Sequence, residues 1–158
     1  MSVRACALLF STALLCGQSK DADVAAHLQK GADAQGRRDL QAAVEEFRKA
    51  LALDPSRAEA QARLGMVYQD LGKLPQAASA FEQALKSAQV SYDSNKLGLE
   101  VGVRTNLDVL NQQQQVFQTR FNLAQSYYNF IISALRLKQA VGALTDTDVE
   151  RVNRDLSG

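Results

Sequence analysis

No proline or glycine occurs between Thr105 and about Val141. These two residue types are the strongest breakers of helices, so the stretch predicts one continuous helix of 37 residues, about 55 Å long. The whole chain of 158 residues contains two prolines and nine glycines, which leaves few interruptions elsewhere. The sequence therefore predicts an all-α fold.

Apolar side chains in this stretch recur every seven residues and form two seams, which lie roughly 110° apart on a helical wheel. The first seam has the columns Leu107, Gln114, Phe121, Tyr128, Leu135 and Leu110, Phe117, Ala124, Ile131, Lys138. The second has Val109, Val116, Leu123, Phe130, Leu137 and Gln113, Arg120, Tyr127, Ala134, Val141. The other columns are mostly polar and include Gln112, Thr119, Ser126, Ser133. Such a helix needs two neighbours and one solvated face, as in a helical barrel; the alternative is the surface helix of a small bundle.

The segment from Gly98 to Thr105 predicts a reversal between two long helices. Gly98 and Gly102 can take a positive φ at little cost, as a tight reversal requires. Thr105 is a candidate N-cap, and Asp108 stands three positions later in a capping-box arrangement. The sequence thus predicts a helical hairpin with its turn in this segment.

The first half of the chain repeats itself with a period of 34 residues. The matched pairs are Gly31 with Gly65, Ala43 with Ala77, Phe47 with Phe81, Ala50 with Ala84, and Leu51 with Leu85. Pro55 ends the first copy, whereas Gln89 stands at that position in the second. An apolar stripe continues through the expected boundary at Phe81, Leu85, Ala88, Tyr92, Leu99. One helix is therefore expected to serve both the second copy and the hairpin.

The repeat resembles the tetratricopeptide repeat over about residues 24–88. The residues that carry the resemblance, and that are expected to pack the helix pairs, are Gly31, Ala43, Phe47, Ala50, Gly65, Tyr68, Ala77, Phe81, Ala84. The resemblance implies two helical hairpins with a concavity that could hold a peptide. A generic pair of helical hairpins is the alternative.

The N-terminal residues 1–19 read as an export signal. Arg4 precedes an uncharged apolar run from Ala5 to Leu15, and small residues follow at Gly17 and Ser19. A buried N-terminal helix and lipidation at Cys16 are the alternatives. Both cysteines lie in this segment, so a cleaved chain would contain no disulfide and no cysteine metal site.

Residues of about 87–156 resemble the TolC-like outer-membrane efflux proteins. The resemblance is carried by the segment from Gly98 to Asn111, which reads GLEVGVRTNLDVLN, and by LRLKQAVGALT from Leu135 to Thr145. It implies a long antiparallel hairpin followed by a short C-terminal helix. In that family, three protomers build an outer-membrane barrel and a periplasmic helical tunnel whose tip meets a membrane-fusion adaptor.

The resemblance also implies roles for individual residues. Adaptor contact at the hairpin tip is implied for Gly98, Val101, Gly102, Val103, Arg104, Thr105, and within this set Arg104 and Thr105 would help hold the entrance closed. Asp108 and Asn111 would face the pore. Leu99 stands where the family commonly has a tyrosine, so a hydroxyl hydrogen bond at that position is not expected.

The remaining features exclude several functional classes. The formal net charge is +1, which points to no nucleic-acid partner. No phosphate loop, nucleophile motif or metal-ligand spacing occurs, and the lone His27 lies in a repeat helix, so neither enzyme activity nor a metal or other cofactor is expected. No transmembrane barrel of its own is expected either.

Three functional hypotheses follow from these patterns. The first is a periplasmic, outer-membrane-associated efflux component that contacts channel subunits or an adaptor. The second is a periplasmic tetratricopeptide scaffold for protein–protein interaction. The third is a truncated or chimeric product without channel activity of its own.

Overall fold

The computed structural model describes the backbone of residues 4–157 and the side chains of residues 20–154, and within that range it contains six helices and no strand. The helices are α1 (Arg4–Gly36), α2 (Leu40–Leu53), α3 (Ala58–Asp70), α4 (Leu74–Glu100), α5 (Asn106–Ala140) and α6 (Asp146–Ser157). The prediction of an all-α fold is confirmed. The predicted export signal at residues 1–19 lies outside the described side chains and stays a prediction.

The two copies of the 34-residue repeat form equivalent helix pairs, α1 with α2 and α3 with α4. In each pair a glycine of the first helix packs against the ring of a phenylalanine of the second helix. A Cβ atom built on Gly31 would lie 2.6 Å from the ring of Phe47, and one on Gly65 would lie 2.9 Å from the ring of Phe81. Both rings are fully buried. The glycines are therefore required for the close approach of the helices.

Other small residues complete the core between the pairs. The predicted packing alanines of both copies, Ala43, Ala50, Ala77, Ala84, are fully buried. Tyr68 is buried as well, and its hydroxyl accepts a hydrogen bond of 2.8 Å from Arg48 Nη2 on α2. This bond joins the two pairs across the α2–α3 interface. His27 lies against Glu46, with 2.7 Å between Nδ1 and Oε2, so it takes part in packing the first pair.

The turns inside the two pairs share one backbone conformation. Gly72 has a φ of +70°, and Arg38, at the same position of the first copy, has a φ of +64°. A side chain in this left-handed region is strained. The Asp39 side chain accepts a bond of 3.2 Å from the amide of Ala42 and so caps α2.

Helix α4 belongs both to the second copy and to the hairpin. It runs without a break from Leu74 to Glu100, which confirms the prediction of a shared helix. Helix α5 returns antiparallel along α4, and Leu123 of α5 packs against the hydrophobic core of the repeats. The hairpin therefore contacts the core of the repeats through Leu123.

The side of α5 that meets α4 differs from the expected one. Thr119 and Ser126, from a column predicted to face solvent, are fully buried beside Val116 of the second seam. Thr119 Oγ1 donates a hydrogen bond of 2.8 Å to the carbonyl oxygen of Gln115 in the same helix, so its buried hydroxyl has a partner. Because serine and threonine are small, they let the two helix axes approach closely. The prediction that this column is solvated was wrong.

The turn after α5 repeats the conformation of the hairpin turn. The two turns share the sequence pattern Val-Gly-x-x-Thr-x-x-Asp-Val. It spans Val101 to Val109 and occurs again 40 residues later, from Val141 to Val149. Gly142 has a φ of +69°, and Asp148 Oδ2 accepts a hydrogen bond of 3.2 Å from the Thr145 amide and one of 2.9 Å from the Thr145 hydroxyl. Lys138 pairs with the same carboxylate and, together with the bonds from Thr145, lowers the pKa of Asp148 to about 2.

Among the residues that the structure describes, no helix is apolar over enough of its length to cross a bilayer.

Candidate functional site

The hairpin turn between α4 and α5 is fixed by backbone hydrogen bonds. Gly102 has a φ of +78°, as predicted. The amide of Val101 donates to Leu97 O at 3.1 Å, and that of Val103 donates to Gly98 O at 2.9 Å. These bonds satisfy carbonyl groups that the end of α4 would otherwise leave unpaired.

Gly98 has a different role from the predicted one. It stays inside α4 and has no positive φ. A Cβ atom at this position would lie 2.6 Å from Cγ of Arg104. The glycine therefore makes room for the Arg104 side chain, which folds back over the helix end and buries Gly98.

The capping box at the start of α5 is confirmed. Thr105 Oγ1 accepts a hydrogen bond of 3.2 Å from the Asp108 amide. In return, Asp108 Oδ2 accepts one of 2.9 Å from the Thr105 amide and one of 2.8 Å from the Thr105 hydroxyl. The bonds from the Thr105 backbone and side chain lower the pKa of Asp108. The carboxylate therefore stays charged at the positive end of the helix, where it is stabilising.

Replacing Thr105 by alanine is expected to lower the free energy of unfolding by about 0.5–2 kcal/mol, the usual cost of losing an N-cap. The melting temperature should fall by about 1–8 °C in a protein of this size. Circular dichroism melts would measure the change. Asn106→Ala, at the next position of the same turn, is the matched control and should leave the melting temperature nearly unchanged. Equal losses in both variants would contradict the capping role.

The tip of the hairpin exposes apolar side chains. Val101 is 66% exposed and Val103 is 75% exposed, and Leu97 and Leu107 beside them also face solvent. The predicted tip residues from Val101 to Thr105 are thus brought together on one exposed turn. A rigid backbone that presents apolar side chains is suited to contact with another protein.

The two residues predicted to face a pore have different surroundings. Asp108 is half-buried, and its carboxylate accepts a hydrogen bond from the Thr105 hydroxyl. Asn111 is exposed. Asn111 lines a groove of about 530 Å³ between α5 and the loop after α2, together with Asp54, Ser56, Arg57. The structure therefore places Asn111 opposite the loop that ends the first copy.

A second groove, of about 420 Å³, runs along the C-terminal half of α4 and is bordered mostly by polar residues. It is lined by Lys86, Arg104, Asn95 and four serines, with Val90 as its apolar member. The sequence alone does not indicate this groove, because its residues come from α4, the turn and the loop after α2. The signal that could have found it is the run of serines at Ser87, Ser91, Ser94.

The face of α5 that points away from α4 is apolar and open, and we call it the outer face. Its five large side chains are 53–64% exposed: Leu107, Leu110, Phe117, Phe121, Tyr128. They belong to the first predicted seam. The second seam contacts α4, and Tyr127 at its margin bonds to Glu82, which raises the pKa of the tyrosine. The second seam is thus covered only around Val116 and Leu123. Farther along it, Phe130, Leu137 and Val141 are exposed.

The comparison with known families agrees with the geometry of the hairpin. The sequence model of the family "outer membrane efflux protein" matches residues 32–143. The match covers both helices of the hairpin and the turn between them, and it also extends back into the first copy of the repeat. The predicted resemblance to efflux proteins is confirmed.

Curated relatives match over about half of the chain. Outer membrane protein TolC of Vibrio cholerae serotype O1 is 39% identical over 77 residues, which are 49% of this chain and 18% of that protein. TolC of Escherichia coli strain K12 is 38% identical over 79 residues, 50% of this chain and 16% of that protein. The alkaline protease secretion protein AprF of Pseudomonas aeruginosa is 30% identical over 73 residues. The match thus spans less than a fifth of each relative.

One solved structure, that of the MamA protein, has a TM-score of 0.42 and 17% identity, over 85% of this chain and 72% of that one. The family model, by contrast, covers well over half of the 158 residues. This coverage, together with the curated relatives, is sufficient to assign the chain to a family. It belongs to the outer membrane efflux protein family.

Proposed function

We propose that the protein is a non-enzymatic component of the cell envelope that takes part in tripartite efflux, by helix–helix assembly and by contact of its hairpin turn with a membrane-fusion adaptor. The observation that carries this proposal is the rigid turn that exposes Val101 and Val103 at the end of two long helices. Its location would be the periplasm, in association with the outer membrane, after export by residues 1–19.

Individual residues would contribute to the adaptor contact in different ways. Val101 and Val103 would enter apolar pockets of the adaptor, while Gly102 provides the backbone conformation between them. Arg104 and Thr105 would hold the entrance, and Asp108 with Asn111 would face the pore. The fixed geometry of the turn supports the adaptor contact of Val101 and Val103, because a preorganised contact loses little conformational entropy on binding.

The experiment uses the full chain with a photo-crosslinking amino acid at position 103, expressed in the envelope of a cell that contains an efflux system. A covalent adduct with a membrane-fusion adaptor or a channel subunit is expected, identified by mass spectrometry. The same amino acid at position 53, which is also exposed but lies at the end of α2, is the control. Equal adducts at both positions, or adducts with unrelated soluble proteins only, would contradict the proposal.

The double variant Val101→Asp with Val103→Asp is expected to reduce adaptor recovery at least tenfold. Burial of one valine stabilises a contact by about 1.5 kcal/mol or more, and each aspartate adds a charge that must be desolvated. Co-purification from solubilised envelopes measures the effect. Val90→Asp changes a valine of similar exposure (60%) on α4 and should leave recovery unchanged.

A second function is favoured by the repeated glycine–phenylalanine contact of the two helix pairs. We propose that residues 24–88 are two tetratricopeptide repeats and that residues 87–156 form the efflux-type hairpin, with α4 common to both. In this alternative the repeats hold a peptide of a partner protein and the hairpin caps them. Recovery of soluble partners that withstands the Val101→Asp and Val103→Asp changes would favour the scaffold over the efflux role.

A further inference from the structure

The second groove, along the C-terminal half of α4, is built from both parts of the chain. Most of its lining residues belong to α4, and Ser56 comes from the loop that ends the first copy of the repeat. Arg104 enters the groove from the hairpin turn, since a Cβ atom on Gly98 of α4 would lie 2.6 Å from Arg104 Cγ. The groove therefore depends on the junction of the repeat with the hairpin.

Two positive charges lie at the ends of this groove. Lys86 precedes Gly98, the residue that Arg104 contacts, by 12 residues of α4, and this length of helix spans about 18 Å. The residues that line the groove include no carboxylate. Within residues 20–154, neither cation forms an ion pair. The groove thus presents two separated cations that lack a counter-charge.

Three acidic residues near the groove already have partners. Glu82, one turn before Lys86, accepts a hydrogen bond from Tyr127. Asp108, which lies close enough to feel the charge of Arg104, is held in the capping box of α5. Asp54 accepts hydrogen bonds of 3.0 and 2.7 Å from the amide and the hydroxyl of Ser56. Lys86 and Arg104 are therefore available to carboxylates of another molecule.

Between the two cations the groove offers hydrogen-bonding groups. Ser87, Ser91 and Ser94 follow one another along α4 at steps of four and three residues, and Asn95 lies next to them. Among the residues that the structure describes, none of these four side chains has a hydrogen-bond partner. Hydroxyl and amide groups both donate and accept, so they can pair with the N–H and C=O groups of a peptide backbone.

The dimensions of the groove suit an extended chain. A volume of 420 Å³ over about 18 Å gives a mean cross-section of about 23 Å², whereas a helix about 10 Å across covers about 80 Å². An extended chain advances about 3.3 Å per residue, and every second side chain points to the same side. Acidic residues at positions i and i+6 of such a chain lie about 20 Å apart on one side, which matches the two cations.

We propose that this groove binds an extended acidic peptide segment of a partner protein, with one carboxylate at Lys86 and a second, six residues along the peptide, at Arg104. Opposite charges orient the segment and fix its register, and the serine hydroxyls bind its backbone. The inference goes beyond the proposed function and does not depend on it, because adaptor contact is assigned to the exposed valines of the turn.

Fluorescence polarisation with labelled heptapeptides and the full chain tests the spacing of the charges. The probe is Glu-Ser-Val-Ser-Val-Ser-Glu with blocked termini and a neutral label. The comparison peptide, Ser-Val-Ser-Glu-Glu-Val-Ser, has the same composition and net charge but adjacent glutamates. The probe should bind at least fivefold more tightly at low ionic strength, because it alone reaches both cations. Equal affinities, or no binding of either peptide, overturn the inference.

Charge variants test the location of the site. Lys86→Glu should weaken binding of the probe at least tenfold, and Arg104→Gln at least threefold. Lys96→Glu makes the same change of charge at an exposed position of α4 that does not line the groove, and it should change the affinity less than twofold. An equal loss with Lys96→Glu would indicate attraction by net charge alone and would overturn the inference. Displacement of the probe by inorganic phosphate at equal concentration would also overturn it, because a single small anion would then suffice.

Discussion

Replacing Phe81 by alanine is expected to lower the free energy of unfolding by about 3–5 kcal/mol, the usual cost of removing a buried phenylalanine. The ring is fully buried between α3 and α4 and lies against Gly65. Because glycine has no side chain to move into the space, the cavity would remain largely open. At about 2–4 °C per kcal/mol, the melting temperature should fall by about 10 °C.

Urea denaturation followed by circular dichroism would measure the loss. Val90→Ala removes an apolar group from the same helix at a position that is 60% exposed and should change the free energy of unfolding by less than about 0.5 kcal/mol. Since α4 also forms the hairpin, the Phe81 variant should lose α5 in the same transition. A separate, unshifted transition for the hairpin would show that the two parts are energetically independent.

Gly31→Ala is expected to destabilise the protein by about 1–3 kcal/mol, although alanine is the better helix former. Three ring atoms of Phe47 lie 2.6–2.9 Å from the position that the new methyl group would occupy. Phe47 is fully buried, so its ring cannot move without shifting α2. The gain in helix propensity, up to about 1 kcal/mol, offsets part of this cost.

Gly36→Ala in the same helix is the matched control and should have the opposite sign. Nothing lies within 4 Å of a Cβ atom at this position, so the change reduces the entropy of the unfolded chain without a clash. A gain of about 0.4–1 kcal/mol is expected. If both alanine variants were stabilising, the close approach at Gly31 would not constrain the fold.

The sequence predicted the helices and the core of the repeats well, because the signals there are local. The 34-residue period places Gly31 and Gly65 opposite Phe47 and Phe81, and the missing proline at Gln89 predicts that α4 continues. The boundary of the hairpin could be predicted as well, since Thr105 and Asp108 form the capping box within four residues.

The packing of α5 could not be predicted in the same way. Its heptad columns show where apolar residues lie, but not which column meets α4. Thr119 and Ser126 are polar by type, yet their small size makes them suitable for a close helix contact. The role of Gly98 was missed for a similar reason, because its neighbour Arg104 reaches it only after the chain has reversed.

The unbroken course of α4 makes the hairpin a lever. From Ala84, the last packing residue of the second copy, to Glu100 at its end, α4 extends about 24 Å. A tilt of about 10° at the repeats would displace the turn by about 4 Å. A ligand that changes the angle between α3 and α4 would therefore move Val101 and Val103 without touching them.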